Sequence, residues 1–265
     1  MMTWYTGDPT YDTVLTLAFA FVVLVFIGAA FMKSPYGRFA SDKWGINLSP
    51  RLGWFLMELP AMCSFLFFYF QGRNRFEIVP LFFLFVWVVH YTNRGFVFPY
   101  LIRSPKDATA SFSIMIVMMG WLVTTVHGYL NATFISELGQ HYTLDWFLDP
   151  RFIVGITLYY GSFVLNLHSD AIIRNLRSVE EVERGDKVYR IPKGGLFRFV
   201  TNPSYLTEIM GFAGFALATW QLGATFILLI TIANLVPRAF QNHRWYQEKF
   251  PDYPPERRVL IPFVL

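Results

Sequence analysis

Long apolar blocks with almost no charge determine what this 265-residue chain can fold into. A helix needs about 20 mainly apolar residues to cross the hydrocarbon layer of a membrane. Seven blocks approach or meet that length, at residues 13–32, 52–70, 78–101, 110–130, 152–167, 205–220 and 222–236. Little more than Gln221 separates the last two, which indicates a tight helical hairpin. The sequence therefore predicts an all-α integral membrane protein with seven transmembrane helices.

The composition also favours a membrane environment. Only 15% of the residues are charged, whereas soluble domains carry about 25%, so the chain cannot cover itself with a polar surface. The net charge of +4 is small and the basic residues lie between apolar blocks, so we expect no nucleic-acid partner. Cys63 is the single cysteine, which excludes an internal disulfide and a cysteine-based zinc site. No Lys or Arg precedes the first block, so we expect a membrane anchor rather than a cleaved signal peptide.

The positions of Lys and Arg predict how the chain is oriented. Arg94 apart, the segments between the blocks carry 18 basic residues on one side of the membrane and 3 on the other. Because cytoplasmic loops are enriched in Lys and Arg, the N-terminus is predicted outside and the C-terminus in the cytoplasm. A bacterial inner membrane and an endoplasmic reticulum membrane both fit this orientation.

The chain contains no internal repeat or low-complexity linker, so residues 1–265 are predicted to form one domain. The connection at about residues 168–204 is long for a compact bundle, and such loops are usually functional or disordered. Its aromatic and turn residues, among them Tyr189, Pro192 and Gly194, favour an ordered segment. We therefore expect this connection to form part of a ligand site on the cytoplasmic side.

Two polar positions inside the blocks are candidates for catalysis. Glu58 lies about two turns into the second block, and a carboxyl group at that depth is costly and marks a functional site by default. In a dry pocket its neutral form is favoured and can donate a hydrogen bond. Tyr91 lies beside His90, Asn93 and Arg94 in an otherwise apolar block. The alternative is that Glu58 bonds to a backbone carbonyl and only fixes packing.

On three of the predicted helices, polar residues at helical spacing lie at the end that faces the cytoplasmic side. They are Asn166, Asp170, Arg174 and Arg177 after the fifth block, Ser204 and Glu208 at the start of the sixth, and Asn234, Arg238, Asn242 and Trp245 after the seventh. Residues three and four apart share one face of a helix. Such convergence suits a large anionic ligand whose phosphates are held by arginines. A structural network of ion pairs is the other interpretation.

The residues that several other kinds of site need are absent from the sequence. The chain has neither a G-x-G-x-x-G motif nor a phosphate-binding P-loop. Its five histidines are not closely paired along the sequence, so a di-iron site has no ligand set, and catalytic zinc lacks its ligands as well. We therefore expect no metal.

Matched segments spread over most of the chain resemble the steroid 5α-reductase family. The strongest lie from residue 160 onward, at 166–170, 189–197, 202–208, 215–220, 238–240, 243–246 and 260–263, and residues 55–60 with His90, Tyr91 and Arg94 are similar to the catalytic segments of the family. Segments distributed over seven helices are far more specific than a single motif. The resemblance implies a membrane reductase that uses NADPH to reduce the carbon–carbon double bond of a 3-oxo-Δ4 steroid, of the testosterone or progesterone type.

The resemblance also implies roles for individual residues. Glu58 and Tyr91 would hold the 3-keto oxygen of the substrate, and Trp54 and Met57 would border the steroid. The residues implied around the cofactor are Arg94, Arg103, Asn166, Asp170, Arg177, Tyr189, Ser204, Glu208, Arg238, Asn242 and Tyr246. The implied partners are a steroid or steroid-like lipid and the membrane lipid.

The chain departs from the family pattern at three positions. Met57 stands where members often carry Gln, and Ser204 and Asn242 stand where others have Asn and His. The first difference affects the expected steroid preference. Three other functions therefore stay open: a reductase of another lipid enone or enoyl substrate, a membrane S-adenosylmethionine-dependent methyltransferase, and a non-catalytic lipid-binding or transport protein.

Overall fold

The computed structural model describes residues 3–31, 45–103, 112–185 and 188–265, and most of them are helical. The helices in these ranges are α1 (Pro9–Phe31), α2 (Pro50–Tyr69), α3 (Ile78–Tyr91), α4 (Phe98–Leu101), α5 (Ile114–Thr133), α6 (Pro150–Arg174), α7 (Val179–Glu183), α8 (Pro203–Thr219) and α9 (Leu222–Lys249). Two π-helical segments (Thr92–Val97 and Phe134–Leu138) and two 3₁₀ segments (Leu144–Leu148 and Gly195–Arg198) complete the helical structure. Strands β1 (Asn47–Leu48) and β2 (Phe112–Ser113) pair antiparallel, with Asn47 opposite Ser113.

Six helical runs of the described residues are long and apolar enough to cross a membrane. They are Pro9–Ala29, Pro50–Tyr69, Ile78–Leu101, Ile114–Leu138, Pro150–Arg174 and Leu222–Lys249. Helix α8 is shorter, with 17 residues. Large apolar side chains such as Leu24 and Phe26 are exposed on the outside of α1, as expected for a surface that faces lipid. The predicted helical, multi-pass membrane architecture is thus confirmed in outline, while the count of seven spans and the orientation stay predictions.

The helix boundaries differ from the apolar blocks in instructive places. Helices α6 and α9 extend beyond their blocks to Arg174 and Lys249, so the predicted 168–204 connection begins inside a helix. Helix α6 stops because Ser178 opens α7 with a capping box, which leaves Arg177 between the two helices rather than on the face shared by Asn166 and Asp170. A capping box fixes non-helical backbone at its first residue.

Part of the sequence evidence falls outside the described residues. The predicted fourth block starts at residue 110, and the helix is described only from Ile114. The basic residues Lys33, Arg38, Lys43 and Lys106, which contributed to the predicted orientation, also lie outside the described ranges.

Small residues bring the helices around the site into close contact. A Cβ added to Gly214 of α8 would lie 2.6 Å from the carbonyl oxygen of Gly155 in α6. Helices in membranes rely on such small residues because lipid tails offer no hydrophobic drive for association. Glycine also makes room between α2 and α5, where a Cβ on Gly120 would collide with the side chain of Met57. These contacts fix the distances across which the polar residues meet.

Helix α2 has a defect two residues from Glu58, and α5 repairs it. Pro60 has no backbone N–H, so the carbonyl of Leu56 loses its intrahelical donor. The indole nitrogen of Trp121 donates a hydrogen bond to that carbonyl at 2.6 Å. An unpaired carbonyl is unfavourable in lipid, so Trp121 ties α5 to α2 beside the candidate catalytic residue.

We expect Trp121→Phe to lower the free energy of unfolding by about 1 kcal/mol, because the Leu56 carbonyl loses its only donor from α5. In a Pro60→Ala background the restored N–H takes over that bond, and the same substitution then costs much less. SDS-induced unfolding in mixed micelles measures this double-mutant cycle. Trp4→Phe, on the N-terminal segment, is the control and adds independently to Pro60→Ala. Full additivity of Trp121→Phe with Pro60→Ala would contradict the assigned repair.

Candidate active site

The two predicted catalytic side chains lie where α2 meets the end of α3. A Cβ on Gly95, in the π-helical segment after α3, would lie 3.5 Å from the Cβ of Glu58. Tyr91 ends α3, is 4% exposed and interacts electrostatically with Glu58. Within the described part of the chain, neither the Glu58 carboxyl group nor the Tyr91 hydroxyl has a hydrogen-bond partner. Both polar groups are therefore free to bind a ligand between the helices.

Next to this pair, one guanidinium joins two carboxylates from different helices. Arg94 forms an ion pair with Glu208 of α8 at 2.8 Å and a longer one with Asp170 of α6 at 3.7 Å. The hydroxyl of Ser204 donates to the other oxygen of Asp170 at 2.7 Å. The Arg94 guanidinium also lies 5.1 Å from the ring centroid of Trp54, in cation–π range. We call Arg94, Asp170, Ser204 and Glu208 the ion cluster.

The π-helical segment explains how Arg94 reaches this position. The backbone N–H of Phe98 donates to the carbonyl of Asn93, five residues earlier rather than four. Pro99 follows and cannot supply the ordinary helical donor. Such single-turn π segments are frequent at functional sites because they re-aim side chains within a helix. Here the segment carries Arg94 toward α6 and α8.

Asn166 connects the C-terminal half of α6 with the N-terminal half of α8. Its amide nitrogen donates to the carbonyl of Ser204 at 2.9 Å and to the hydroxyl of Thr207 at 3.0 Å. Thr207 was not among the predicted site residues, although it lies three residues after Ser204 and beside Glu208 on the same helix. Helical periodicity counted from Ser204 would have identified it.

The polar residues of α9 converge on a tyrosine that the sequence analysis missed. The Nε of Arg238 donates to the hydroxyl of Tyr205 at 2.8 Å, and the amide of Asn242 donates to the same oxygen at 3.3 Å. The Asn242 amide also donates to the side-chain oxygen of Asn202 at 3.0 Å. This group joins α9 to the start of α8. Tyr205 follows directly on Ser204, so the group continues from the ion cluster along the beginning of α8.

Tyr189 and Tyr246 meet through one aromatic ring. The ring centroid of Trp245 lies 5.0 Å from that of Tyr189 and 5.1 Å from that of Tyr246. Tyr246 also stacks on Phe250 at 5.9 Å. The packing holds the segment at Tyr189 against the end of α9, as the predicted order of the 168–204 connection requires.

Two arginines lie together at the ends of α4 and α6. The guanidinium of Arg103 donates to the backbone carbonyl of Arg177 at 2.6 Å, and that of Arg177 donates to the carbonyl of Arg103 at 3.4 Å. Neither forms an ion pair with any described residue. Two neighbouring positive charges that are held only by neutral carbonyls attract an anion, and phosphate matches the planar geometry of guanidinium groups.

A cleft lies beside the ion cluster. It has a volume of about 360 Å³ including its open mouth, and its polar lining comprises His90, Asn93, Arg94, Asn166, Thr207 and Glu208. Apolar and aromatic side chains form the remainder, as in most small-molecule sites. No group of three or more His, Cys, Asp or Glu side chains within the described ranges is arranged to hold a metal ion.

An exposed ion pair organises the segment after α6. The Arg190 guanidinium contacts both carboxylate oxygens of Glu181, at 2.8 and 2.5 Å, and donates to the carbonyl of Leu176 at 2.6 Å. Glu181 is also the acidic residue of the capping box that opens with Ser178. The hydrogen bonds from Arg190, followed by the one from the Ser178 backbone, lower the pKa of Glu181 from 4.5 to about 2.

This pair makes the order of the segment depend on pH. Because the folded-state pKa of Glu181 is lowered, its stabilising contribution is complete above about pH 4.5 and is lost as the pH falls toward 2. We expect amide hydrogen exchange at residues 176–185 and 188–190 to be slower in the wild type than in Glu181→Gln at neutral pH. The two should converge near pH 2 after correction for intrinsic exchange. Glu183→Gln, on the same short helix, is the control and should match the wild type. A difference between wild type and Glu181→Gln that persists at pH 2 would contradict this assignment.

Comparison with known proteins identifies a matching family model and several related chains. A family model described as 3-oxo-5-alpha-steroid 4-dehydrogenase matches residues 110–265. 3-Oxo-5-alpha-steroid 4-dehydrogenase 1 of Rattus norvegicus is 39% identical over 248 residues, covering 93% of this chain and 91% of that protein. The Mus musculus protein of the same name is 38% identical over 256 residues, 96% of each chain. The steroid 5-alpha-reductase DET2 of Solanum lycopersicum is 34% identical over 255 residues, 95% of this chain and 94% of its own.

Proposed function

The chain belongs to the 3-oxo-5-alpha-steroid 4-dehydrogenase family of oxidoreductases, and we propose that it reduces the carbon–carbon double bond of a 3-oxo-Δ4 steroid with NADPH. The product is the corresponding 5α-reduced 3-oxo steroid. The observation that carries the proposal is the unpartnered pair Glu58 and Tyr91 beside the ion cluster. Two hydrogen-bond donors with no other partner among the described residues suit a substrate carbonyl.

The proposed role of the pair follows from the charge that develops in the reaction. Adding a hydride to the β-carbon of an enone moves negative charge onto the carbonyl oxygen. Glu58 in its neutral form and the Tyr91 hydroxyl donate hydrogen bonds to that oxygen, and these bonds strengthen as the charge grows. The dry surroundings strengthen them further and keep water away from the reacting carbons.

The ion cluster keeps the pair in position. Arg94 is held by Glu208 and Asp170, so its charge is balanced before the substrate binds. Its electrostatic interaction with Glu58 is therefore accompanied by that of Glu208, which has the opposite sign. The low-polarity surroundings proposed for the pair favour the neutral acid, which can donate a hydrogen bond. Arg94, with Arg103, is proposed to lie near the nucleotide part of the cofactor.

A pair of arginines supports a site for the phosphates of the cofactor. Arg103 and Arg177 carry adjacent positive charges with no carboxylate partner among the described residues, which fits a dinucleotide phosphate. NADPH supplies the hydride when bound. The residues proposed to hold it are Arg94, Arg103, Asn166, Asp170, Arg177, Tyr189, Ser204, Glu208, Arg238, Asn242 and Tyr246. Pairing of an arginine with the additional phosphate would favour NADPH over NADH.

The substrate is proposed to enter from the membrane. Trp54 and Met57 lie on α2 within one turn of Glu58 and would border the steroid. Met57 packs into the space opened by Gly120, so it presents a flexible apolar surface rather than an additional donor. This favours a broader range of lipid enones as the second candidate function. The cofactor is proposed to bind on the cytoplasmic side of a seven-span protein.

Product analysis tests the proposed reaction directly. Purified protein in detergent, given testosterone or progesterone with NADPH, is expected to yield a product heavier by two hydrogens with 5α stereochemistry. The same mixture without NADPH is the control. Protein that binds NADPH but forms no product would indicate that the substrate is another lipid enone. Folded protein that neither binds NADPH nor forms product would contradict it.

Single substitutions test the roles of the catalytic pair. We expect Glu58→Leu and Tyr91→Phe each to lower kcat by about 10²–10³-fold, the usual cost of one such donor, with the NADPH dissociation constant little changed. Stopped-flow turnover and fluorescence titration separate the two effects. Tyr100→Phe is the matched control, because Tyr100 is 78% exposed and should retain activity. Turnover at the wild-type rate in both variants would contradict the assigned roles.

A further inference from the structure

A second, smaller cavity lies on the side of Tyr91 away from the ion cluster. It shares His90, Tyr159 and Phe212 with the larger cleft, and Trp87, Tyr91 and His127 also line it; its volume is about 200 Å³ including its open side. His127 is fully buried and its ring centroid lies 4.5 Å from that of Trp87 and 6.1 Å from that of Tyr91. The mechanism proposed above uses neither of the two histidines.

A chain of buried amides determines which nitrogen of His127 carries the proton. The Gln221 amide nitrogen donates to the side-chain oxygen of Asn131 at 2.6 Å. This contact orients the Asn131 amide so that its nitrogen faces Nδ1 of His127 at 2.8 Å. The amide nitrogen can only donate, so Nδ1 must accept. The neutral ring therefore carries its proton on Nε2.

The proton on Nε2 of His127 has no hydrogen-bond acceptor among the described residues. Nε2 of His127 is buried and has no hydrogen-bond partner among the described residues, and the same holds for Nδ1 of His90. Buried polar atoms in native proteins are nearly always paired, so each exception needs an explanation. The two imidazoles interact electrostatically and line the same cavity. Two unpaired nitrogens in one small cavity indicate a common ligand.

The lining limits the chemistry of that ligand. The lining side chains are aromatic or imidazole and none is acidic or strongly basic, so an ion would lack compensation for its lost hydration. The fixed Nε2–H of His127 requires an acceptor. A hydroxyl oxygen accepts from that N–H and at the same time offers its own proton to Nδ1 of His90. A neutral O–H group satisfies both nitrogens.

We propose that this cavity is a binding site for a neutral hydroxyl oxygen, held by the Nε2–H of His127 and by His90. The oxygen belongs either to a hydroxyl substituent of the substrate, remote from the enone, or to a bound water beside Tyr91. The first source rests on the proposed steroid-reductase function, and the second requires only the fold. In both cases Gln221 and Asn131 act as positioning residues that fix the His127 tautomer.

Kinetics with paired substrates distinguish the two sources. The full-length enzyme is assayed with testosterone and with its 17-deoxy analogue, which lacks only the remote hydroxyl group. Three variants are compared: His127→Phe, which removes the donor, His127→Gln, which keeps an N–H donor, and His141→Phe, a control for loss of a histidine outside the cavity. His141 bonds to the carbonyl of Thr219 instead. The control is expected to keep the wild-type ratio of kcat/KM for the two substrates.

If the hydroxyl is that of the substrate, His127→Phe lowers kcat/KM about tenfold for testosterone and leaves the 17-deoxy steroid unchanged. If it is a water, His127→Phe lowers kcat similarly for both steroids. His127→Gln restores activity in either case. Wild-type kinetics of His127→Phe on both substrates would overturn the proposal. So would equal impairment of His127→Phe and His127→Gln on both, because that pattern indicates packing alone.

A measurement without turnover separates failure of this site from failure of the reaction. In ¹⁵N-histidine-labelled protein, NMR is expected to detect His127 as the Nε2–H tautomer, and Asn131→Leu is expected to abolish that preference. The result does not depend on which substrate the enzyme reduces. A wild-type His127 that exchanges between both tautomers would refute the fixed donor even if steroid reduction is observed. Absence of steroid reduction with the tautomer intact would contradict only the proposed reaction.

Discussion

The ion pair between Arg94 and Glu208 is the contact on which the rest of the site depends. It joins the π segment after α3 to α8, and the longer contact to Asp170 adds α6. Removing one partner of a mostly buried pair leaves an uncompensated charge, which is far more costly than the pair itself is stabilising. Separating these three helical segments would therefore be costly, which favours their contact at this point. Glu58 and Tyr91 lie beside that meeting point, so the geometry of the proposed catalytic pair depends on the cluster.

Sequence patterns could predict the parts of the site that lie on one helix. Asn166 and Asp170, and likewise Ser204 and Glu208, are four residues apart, and each pair indeed lies on one face of its helix. The meeting of Arg94 with Asp170 and Glu208 depends on a π segment, and residue spacing counted at the ordinary helical period does not reveal one. The same holds for Arg177, whose predicted place on the α6 face was lost to the capping box of the next helix.

Contacts between distant helices could not be predicted from the sequence for another reason. The five histidines are far apart along the chain, yet His90 and His127 line one cavity because α3 and α5 both pack beside α2. Nothing in the sequence near Trp121 indicates that its indole replaces the N–H that Pro60 lacks. Likewise, the helices α6 and α9 continue past their apolar blocks, since packing and capping rather than hydropathy end a helix. The ends of these helices therefore depend on contacts that hydropathy does not report.

The described polar groups divide into two kinds by their partners. Asn166, Asn202 and Asn242 use their amides to bond neighbouring helices, and these residues build the frame. The side chains of Glu58 and Tyr91, and one ring nitrogen each of His90 and His127, have no such partner within the described residues, and Tyr91, His90 and His127 line one cavity. In an interior where unpaired polar groups are costly, a chain retains them where a ligand completes the bonding. The same argument that leads to the catalytic pair therefore leads to the histidine cavity.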